Sequence, residues 1–218
     1  MAVRFQIKDM TQIKDMTMNR ASFYSAVRAS VFGGRLIQAQ VAGIEAILDA
    51  WDETHAKADR RFLAYMLATA FHETARTMQP VRETMAASDD QAIAILDLAW
   101  RKGRLSQVRT PYWRRDADGL SWLGRGLVQL THKANYQKLS GPVGVDLVAQ
   151  PELAMDMAIA VRILFAGMEG GLFTGHRLAD FFNPLRADWT GARRIINGTD
   201  RASTIASHAK RFYASLIA

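Results

Sequence analysis

The sequence predicts a mainly α-helical fold with one small strand region near its middle. Three observations carry this. Residues 62–74, Phe-Leu-Ala-Tyr-Met-Leu-Ala-Thr-Ala-Phe-His-Glu-Thr, are apolar almost all round, the mark of a helix buried inside a domain. Several other stretches space their apolar residues three and four apart, as an amphipathic helix does. Between them, residues 111–126 are rich in glycine and aromatics and read as turns or a small hairpin, with Asp118-Gly119 suited to a tight turn.

In chain order, Asn19 caps a predicted helix running through Val31 and ended by Gly33-Gly34. Ile37, Val41, Ile44, Ile47 and Leu48 give the segment from Leu36 to Trp51 helical periodicity. After the buried helix, Arg76 to Ala87 is polar and contains Pro80, which opposes regular helix. Ser88 with Asp89 and Asp90 behind it is an N-cap followed by first-turn acids, and the helix closes at Lys102-Gly103-Arg104. A short helix is expected from about Leu130 to Leu139. Pro151-Glu152 opens a stronger one from about Leu153 to Met168, stopped by Gly170-Gly171. Leu178 to Phe182, Trp189 to Ile196 and Ser203 to Leu216 complete the helices. Near the N-terminus, Gln-Ile-Lys-Asp-Met-Thr occurs at 6–11 and again at 12–17, too short a repeat for a solenoid unit. The expected organisation is an extension at 1–18 and a single domain at 19–218.

Composition narrows the function. With 49% hydrophobic and 22% charged residues, the chain reads as globular and carries no disorder signature. It has no Cys, which excludes disulfides and thiolate metal sites. The net charge of +7 predicts attraction to polyanions, either nucleic acid or anionic cell-wall polymers. Lys and Arg are scattered among acids, and no nucleic-acid-binding motif is present, so nucleic acid is not an expected partner. No apolar run reaches the roughly 20 residues of a membrane span. The first residues lack the apolar region of a signal peptide. Synthesis in the cytoplasm is therefore expected.

Glu73 ends the apolar helix. Such a position desolvates a carboxyl group, which favours its neutral form, and a neutral carboxyl is what general-acid catalysis requires. The plainer reading pairs Glu73 with a nearby arginine, Arg76 or Arg82. His72-Glu73 does not begin the zinc motif H-E-x-x-H, because Arg76 occupies the second His position. His55, His132, His176 and His208 are scattered, and neither a metal nor a cofactor is expected.

Two further segments carry polar groups out of keeping with simple packing. One is Trp122-Leu123-Gly124-Arg125-Gly126-Leu127-Val128-Gln129-Leu130-Thr131, followed by Asn135-Tyr136; the other is Arg194-Ile195-Ile196-Asn197-Gly198. If the first is extended, Gln129 and Thr131 point the same way. Amides and hydroxyls beside aromatics suit a sugar chain, and a buried polar network is the competing reading. Trp113 and Trp122 are candidates for sugar stacking, with packing favoured for at least one.

The order His-Glu-Thr, then Gly-Arg-Gly-x-x-Gln-Leu-Thr-x-x-x-Asn-Tyr, then Ile-Ile-Asn-Gly resembles the family 19 glycoside hydrolases, and most closely their cysteine-free, phage-type branch that cleaves bacterial peptidoglycan. The resemblance covers roughly residues 20 to 215. It implies a lysozyme-like, two-lobed helical fold with a substrate cleft, and inverting hydrolysis of a β-1,4 bond next to an N-acetylated sugar. On this resemblance Glu73 is the general acid, Glu83 the general base and Thr131 the holder of the attacking water. Gln129, Asn135 and Asn197 match residues lining the sugar subsites. His72, Arg125 and Tyr136 join them as substrate-binding candidates, with a loop-tying role as the alternative for Arg125. Asp89, Asp90, Asp116 and Asp118 are the other candidates for the base. Plant chitinases of the family have two glycines after His-Glu-Thr where Ala75-Arg76 stand here, which weighs against chitin as substrate.

The expected partner is thus peptidoglycan, cut by a monomeric enzyme that reaches the wall by release, export or virion delivery. A chitinase, or a non-catalytic wall-binding or virion protein that keeps the fold, is the alternative.

Overall fold

The computed structural model describes residues 18–218, and the duplicated hexapeptide lies outside them. The fold is mainly α, with small antiparallel two-stranded sheets. Its helices are α1 (Arg20–Ser30), α2 (Gln38–Thr54), α3 (Arg60–Glu73), α4 (Asp89–Arg101), α5 (Lys133–Val143), α6 (Met157–Gly170), α7 (Leu178–Phe181) and α8 (Ala202–Leu216). None of the described helices is long and apolar enough to cross a membrane.

Local chemistry sets many of the boundaries. The side chains of Asn19, Asp59, Ser88 and Asp156 accept hydrogen bonds from first-turn amides of α1, α3, α4 and α6. Asp156 also divides the expected helix from 153 to 168. Its extended backbone separates a 3-10 turn at Pro151–Met155 from α6. His132 has a φ of 66°, so α5 begins later than Leu130. The expected helix from Trp189 to Ile196 is a tighter 3-10 helix, Gly191–Ile195.

The strands differ from expectation. Residues 111–126 form turns, with a tight one at Asp118-Gly119, and no hairpin of their own. Instead β1 (Val81–Arg82) pairs antiparallel with β2 (Arg125–Gly126), in the register Val81 with Gly126 and Arg82 with Arg125. A second hairpin joins β3 (Phe182–Asn183) to β4 (Arg186–Ala187). α7 ends at Phe181, before the expected stop at Asn183-Pro184, and Pro184 lies instead in the turn between β3 and β4.

Every residue of α3 from Leu63 to Phe71 is buried, which is why this helix reads as apolar all round. It packs chiefly on α8, with α6 and α2 beside it. A smaller apolar cluster forms apart from this core, from Ala92 and Leu96 of α4 with Trp113 and Leu123. The segment after β1 and the segment around β2 run between the two, since Leu123 belongs to the small cluster while Leu127, Val128 and Leu130 belong to the main core.

One close approach bears on the site. A Cβ at Gly43 of α2 would lie 1.7 Å from the carbonyl oxygen of Met78, in the segment that follows Glu73. Alanine would gain about 1 kcal/mol of helix propensity at this position. A collision with backbone cannot be relieved by a rotamer change, so strain at the upper end of the usual overpacking cost, about 3 kcal/mol, should win. Gly43→Ala is therefore expected to lower the melting temperature by several degrees, at about 2–4 °C per kcal/mol, measured by circular dichroism. An unchanged or raised melting temperature would show that α2 does not press on Met78.

Candidate active site

Glu73 is the last residue of α3, and the chain turns sharply after it. Thr74 is fully buried, where its hydroxyl donates to Ala70 O (2.7 Å) and accepts from Met78 N (3.0 Å). This clamp holds Ala75, Arg76 and Met78 at φ values of 48°, 72° and 56°, left-handed conformations that cost non-glycine residues energy. Glu73 itself is mostly buried. Its Oε1 accepts a hydrogen bond from Arg193 Nη1 at 2.6 Å, and its Oε2 has no hydrogen-bond partner among the described residues. Arg193 sits on the 3-10 helix and also donates from Nε to Asp200 O. Neither Arg76 nor Arg82 pairs with Glu73: Arg76 lies over the Phe71 ring, and Arg82 binds Asp89.

Glu83 follows β1 directly, and both of its carboxylate oxygens accept hydrogen bonds. Tyr112 Oη donates to Oε1 and the Gly124 amide to Oε2, each at 2.8 Å. The Glu83 amide in turn donates to Gly124 O at 2.7 Å. A Cβ at Gly124 would come within 2.8 Å of Gln129 Oε1 and 3.4 Å of Glu83 Cβ, so a side chain there would displace the Gln129 amide from beside Glu83. Burial, reinforced by the charge of Glu83 and its hydrogen bond, pushes the Tyr112 hydroxyl well above the usual tyrosine range. Tyr112 therefore stays a donor. Thr84 and Met85, next in the chain, also have left-handed φ values of 64° and 59°.

Thr131 and Gln129 approach the same group. Leu130 exchanges backbone hydrogen bonds with Arg125, closing a tight loop in which Gln129 takes a φ of 52°. The 129–131 stretch is thus not extended, and the expected row of side chains on one side does not form. Gln129 Nε2 turns instead to Val81 O at 2.9 Å, fixing β1 beside the loop. Thr131 is half-buried, its carbonyl accepts from Asn135 Nδ2, and its hydroxyl has no hydrogen-bond partner among the described residues. The ring of His132, the next residue after Thr131, has its centroid 4.3 Å from that of Tyr112, the donor to Glu83. A cavity of about 480 Å³ opens here, lined by residues 107–110, Tyr112 and His132.

The candidate residues therefore fall into two groups. Glu83, Gly124, Gln129, Thr131 and Asn135 form one. Glu73, Arg193 and Asn197 form the other, since the exposed Asn197 donates from its amide to Arg193 O. No hydrogen bond joins the groups among the described residues. The chain from Thr74 to Arg82 connects them.

Arg125 and Tyr136 are corrected from contact residues to buried supports. Arg125 is 1% exposed and Tyr136 fully buried. Arg125 Nη1 donates to Ser121 O and to Tyr136 Oη, while Nη2 binds the Asp89 carboxylate. Tyr136 Oη donates on to Leu123 O. Trp113 and Trp122 are likewise buried, their indole nitrogens donating to Asp97 and Asp116. Of the other candidates for the base, Asp89 is taken by Arg82 and Arg125, and Asp116 by Trp122, Lys133 and loop amides. Asp90 and Asp118 are exposed on the surface.

His72 is half-buried beside Glu73. Burial pushes its imidazole below the usual histidine range; the Glu73 charge opposes this, and Arg193 and Arg201 add to it. His72 is thus neutral at pH 7. No group of three or more His, Asp or Glu side chains among the described residues comes together as a metal cage.

Sequence reading missed Arg193 and Tyr112. Arg193 stands beside Arg194, and only the 3-10 turn, with Ala192 and Ile195 buried, decides which of the two faces inward. Tyr112 had a signal, being an aromatic residue with a hydroxyl among turn residues, but no pattern linked it to Glu83. No protein-family model matches the chain, and no curated protein matches it in sequence.

Proposed function

We propose that the protein is a glycosidase that cleaves β-1,4 bonds between N-acetylated sugars of bacterial peptidoglycan by inverting acid–base catalysis. The observation that carries this reading is the concentration of strained backbone at two differently held carboxylates. Ala75, Arg76 and Met78 follow Glu73, Thr84 and Met85 follow Glu83, and Gln129 and His132 flank Thr131 within three residues; Arg201 is the only other non-glycine residue with positive φ among those described. Strain of this kind persists where a site over-determines the chain. The left-handed φ values of Ala75 and Arg76 also fit the resemblance, because glycines occupy these positions in the plant enzymes.

In this reading Arg193 anchors Glu73 by Oε1, and Oε2 carries the proton given to the leaving glycosidic oxygen. Glu83 accepts from Tyr112 and Gly124 as an ionised base, and each oxygen keeps a lone pair for the proton of the attacking water. The Thr131 hydroxyl, without a hydrogen-bond partner among the described residues, orients that water. Inversion requires room for a water between acid and base, about 6.5–9.5 Å. The net charge of +7 favours encounter with an acidic wall polymer.

The Arg193–Glu73 pair also favours a second reading, in which Glu73 is a structural counter-ion and the protein binds the wall without cutting it. Digestion of purified peptidoglycan, with mass spectrometry of the fragments and NMR of the fresh anomers, separates the two. New reducing ends that first appear as the α-anomer support the proposal. Binding to the wall with no new reducing ends supports the second reading.

A further inference from the structure

Two concavities of about 430 and 290 Å³ adjoin, sharing Phe71, Arg76 and His208 as a common wall. Arg211 lines the first and Arg201 and His72 the second. None of Arg76, Arg201 and Arg211 pairs with a carboxylate among the described residues. All three are exposed, so their charges stay solvated and available, and together they give the rim of the double cavity a positive potential that attracts an external anion.

Arg76 is held in place by its backbone. It adopts φ 72°, its amide donates to Phe71 O at 2.8 Å, and its carbonyl accepts from Gln40 Nε2 at 3.0 Å. Its guanidinium then rests over the Phe71 ring with its edge donors uncommitted. Arg211 is oriented by a single hydrogen bond from Nη1 to Ser30 O, which leaves its other nitrogens available. His208 packs edge-on to Phe71, and its buried Nδ1 has no partner among the described residues. The charges that act on His208 come from Arg211, Arg76 and His72, which are cations or able to become so. The carboxylates that reach this region, Glu73 and Asp200, act on His72, and Glu73 is already engaged by Arg193.

We propose that this double cavity is an oxyanion-binding site, in which Arg76 and Arg211 grip a carboxylate or phosphate group carried by a glycan polymer. Guanidinium forks match both oxyanions, so the shared chemistry is a planar or tetrahedral anion with two oxygens presented together. The polymer's identity rests on the glycosidase reading; the anion site does not. Lying beside His72, it would grip charged substituents of a strand whose sugar backbone lies along Glu73, and so fix the strand's register.

The test is NMR titration of the histidine ring resonances with inorganic phosphate at low salt, in the wild type, Arg76→Gln and Glu73→Gln. Saturable shifts of His208 and His72 are expected, with affinity weakened about tenfold in Arg76→Gln, the loss of one charge-assisted contact. Arg76 is the clean position, because its guanidinium stacks on the Phe71 ring and makes no hydrogen bond among the described residues. Retained phosphate binding in Glu73→Gln supports a site independent of catalysis. Two further probes distinguish the source: a glycerol-phosphate oligomer for a phosphodiester polymer, and a stem-peptide fragment of peptidoglycan for carboxylates. Absence of saturable shifts with phosphate and with both probes would overturn the proposal, as would equal binding by wild type and Arg76→Gln.

Discussion

Glu73→Gln is expected to leave a folded protein that has lost about 10²–10⁴-fold in turnover on peptidoglycan, the range contributed by a positioned general acid. Glutamine keeps the side-chain shape, and its carbonyl oxygen can still accept from Arg193 Nη1. What it cannot do is deliver a proton from the other terminal atom. Arg193 donates to a carboxyl oxygen in the wild type and to an amide oxygen in the variant, so at most roughly 1 kcal/mol of stability should be lost, the difference between charged and neutral hydrogen bonds. That corresponds to a fall of about 2–4 °C in melting temperature, too little to explain the activity loss by unfolding. Paired measurement of turnover and melting temperature decides the role of Glu73. A fall in melting temperature with turnover unchanged would make it a structural counter-ion and remove it from the chemistry.

Much of the helical fold is legible because its causes are local. Asn19 and Ser88 bond amides within their own first turns, and the apolar run before Glu73 reflects a helix surrounded by α8, α6 and α2. The strand pairing is not legible in this way. Val81 and Gly126 meet across more than forty intervening residues, and two-residue strands carry no alternation to announce a partner. The site divides on the same line. Glu73, Glu83 and Thr131 stand out through motif order, whereas the groups that hold the carboxylates come from elsewhere: Arg193 on a 3-10 turn and Tyr112 in an irregular segment. Arg125 shows the limit from the other side. Its flanking glycines mark it as unusual, but whether it faces a ligand or Asp89 depends on the placement of α4, which no spacing within residues 122–131 encodes.

Arg125→Ala should cost about 3 kcal/mol of stability, the lower end of the range for breaking a buried ion pair. The lower end applies because Asp89 keeps Arg82 as a partner and stays partly in water. The loss also leaves the carbonyl of Ser121 without the guanidinium donor and removes a donor from Tyr136 Oη. For a domain of this size the melting temperature should fall by about 6–12 °C. The pH dependence gives a second reading of the same contact. Burial opposes ionisation of Asp89, but hydrogen bonds from Arg125 and Arg82 outweigh it and hold the carboxyl below the usual aspartate range. A carboxyl depressed in the folded state stabilises the fold above its unfolded pKa of about 3.9, and that stability drains away as pH falls through the lower folded value. Wild type should therefore lose this contribution below about pH 4, and Arg125→Ala, with the depression weakened, should show a shallower loss over the same window. Activity is expected to fall further than stability. Arg125 pins the loop whose Gly124 amide and carbonyl hold Glu83 at both its side chain and its backbone, so a loosened loop misplaces the base in molecules that remain folded. If the surviving folded fraction of Arg125→Ala turned over at the wild-type rate, the placement of Glu83 would not depend on Arg125, and Tyr112 would be the contact that holds it.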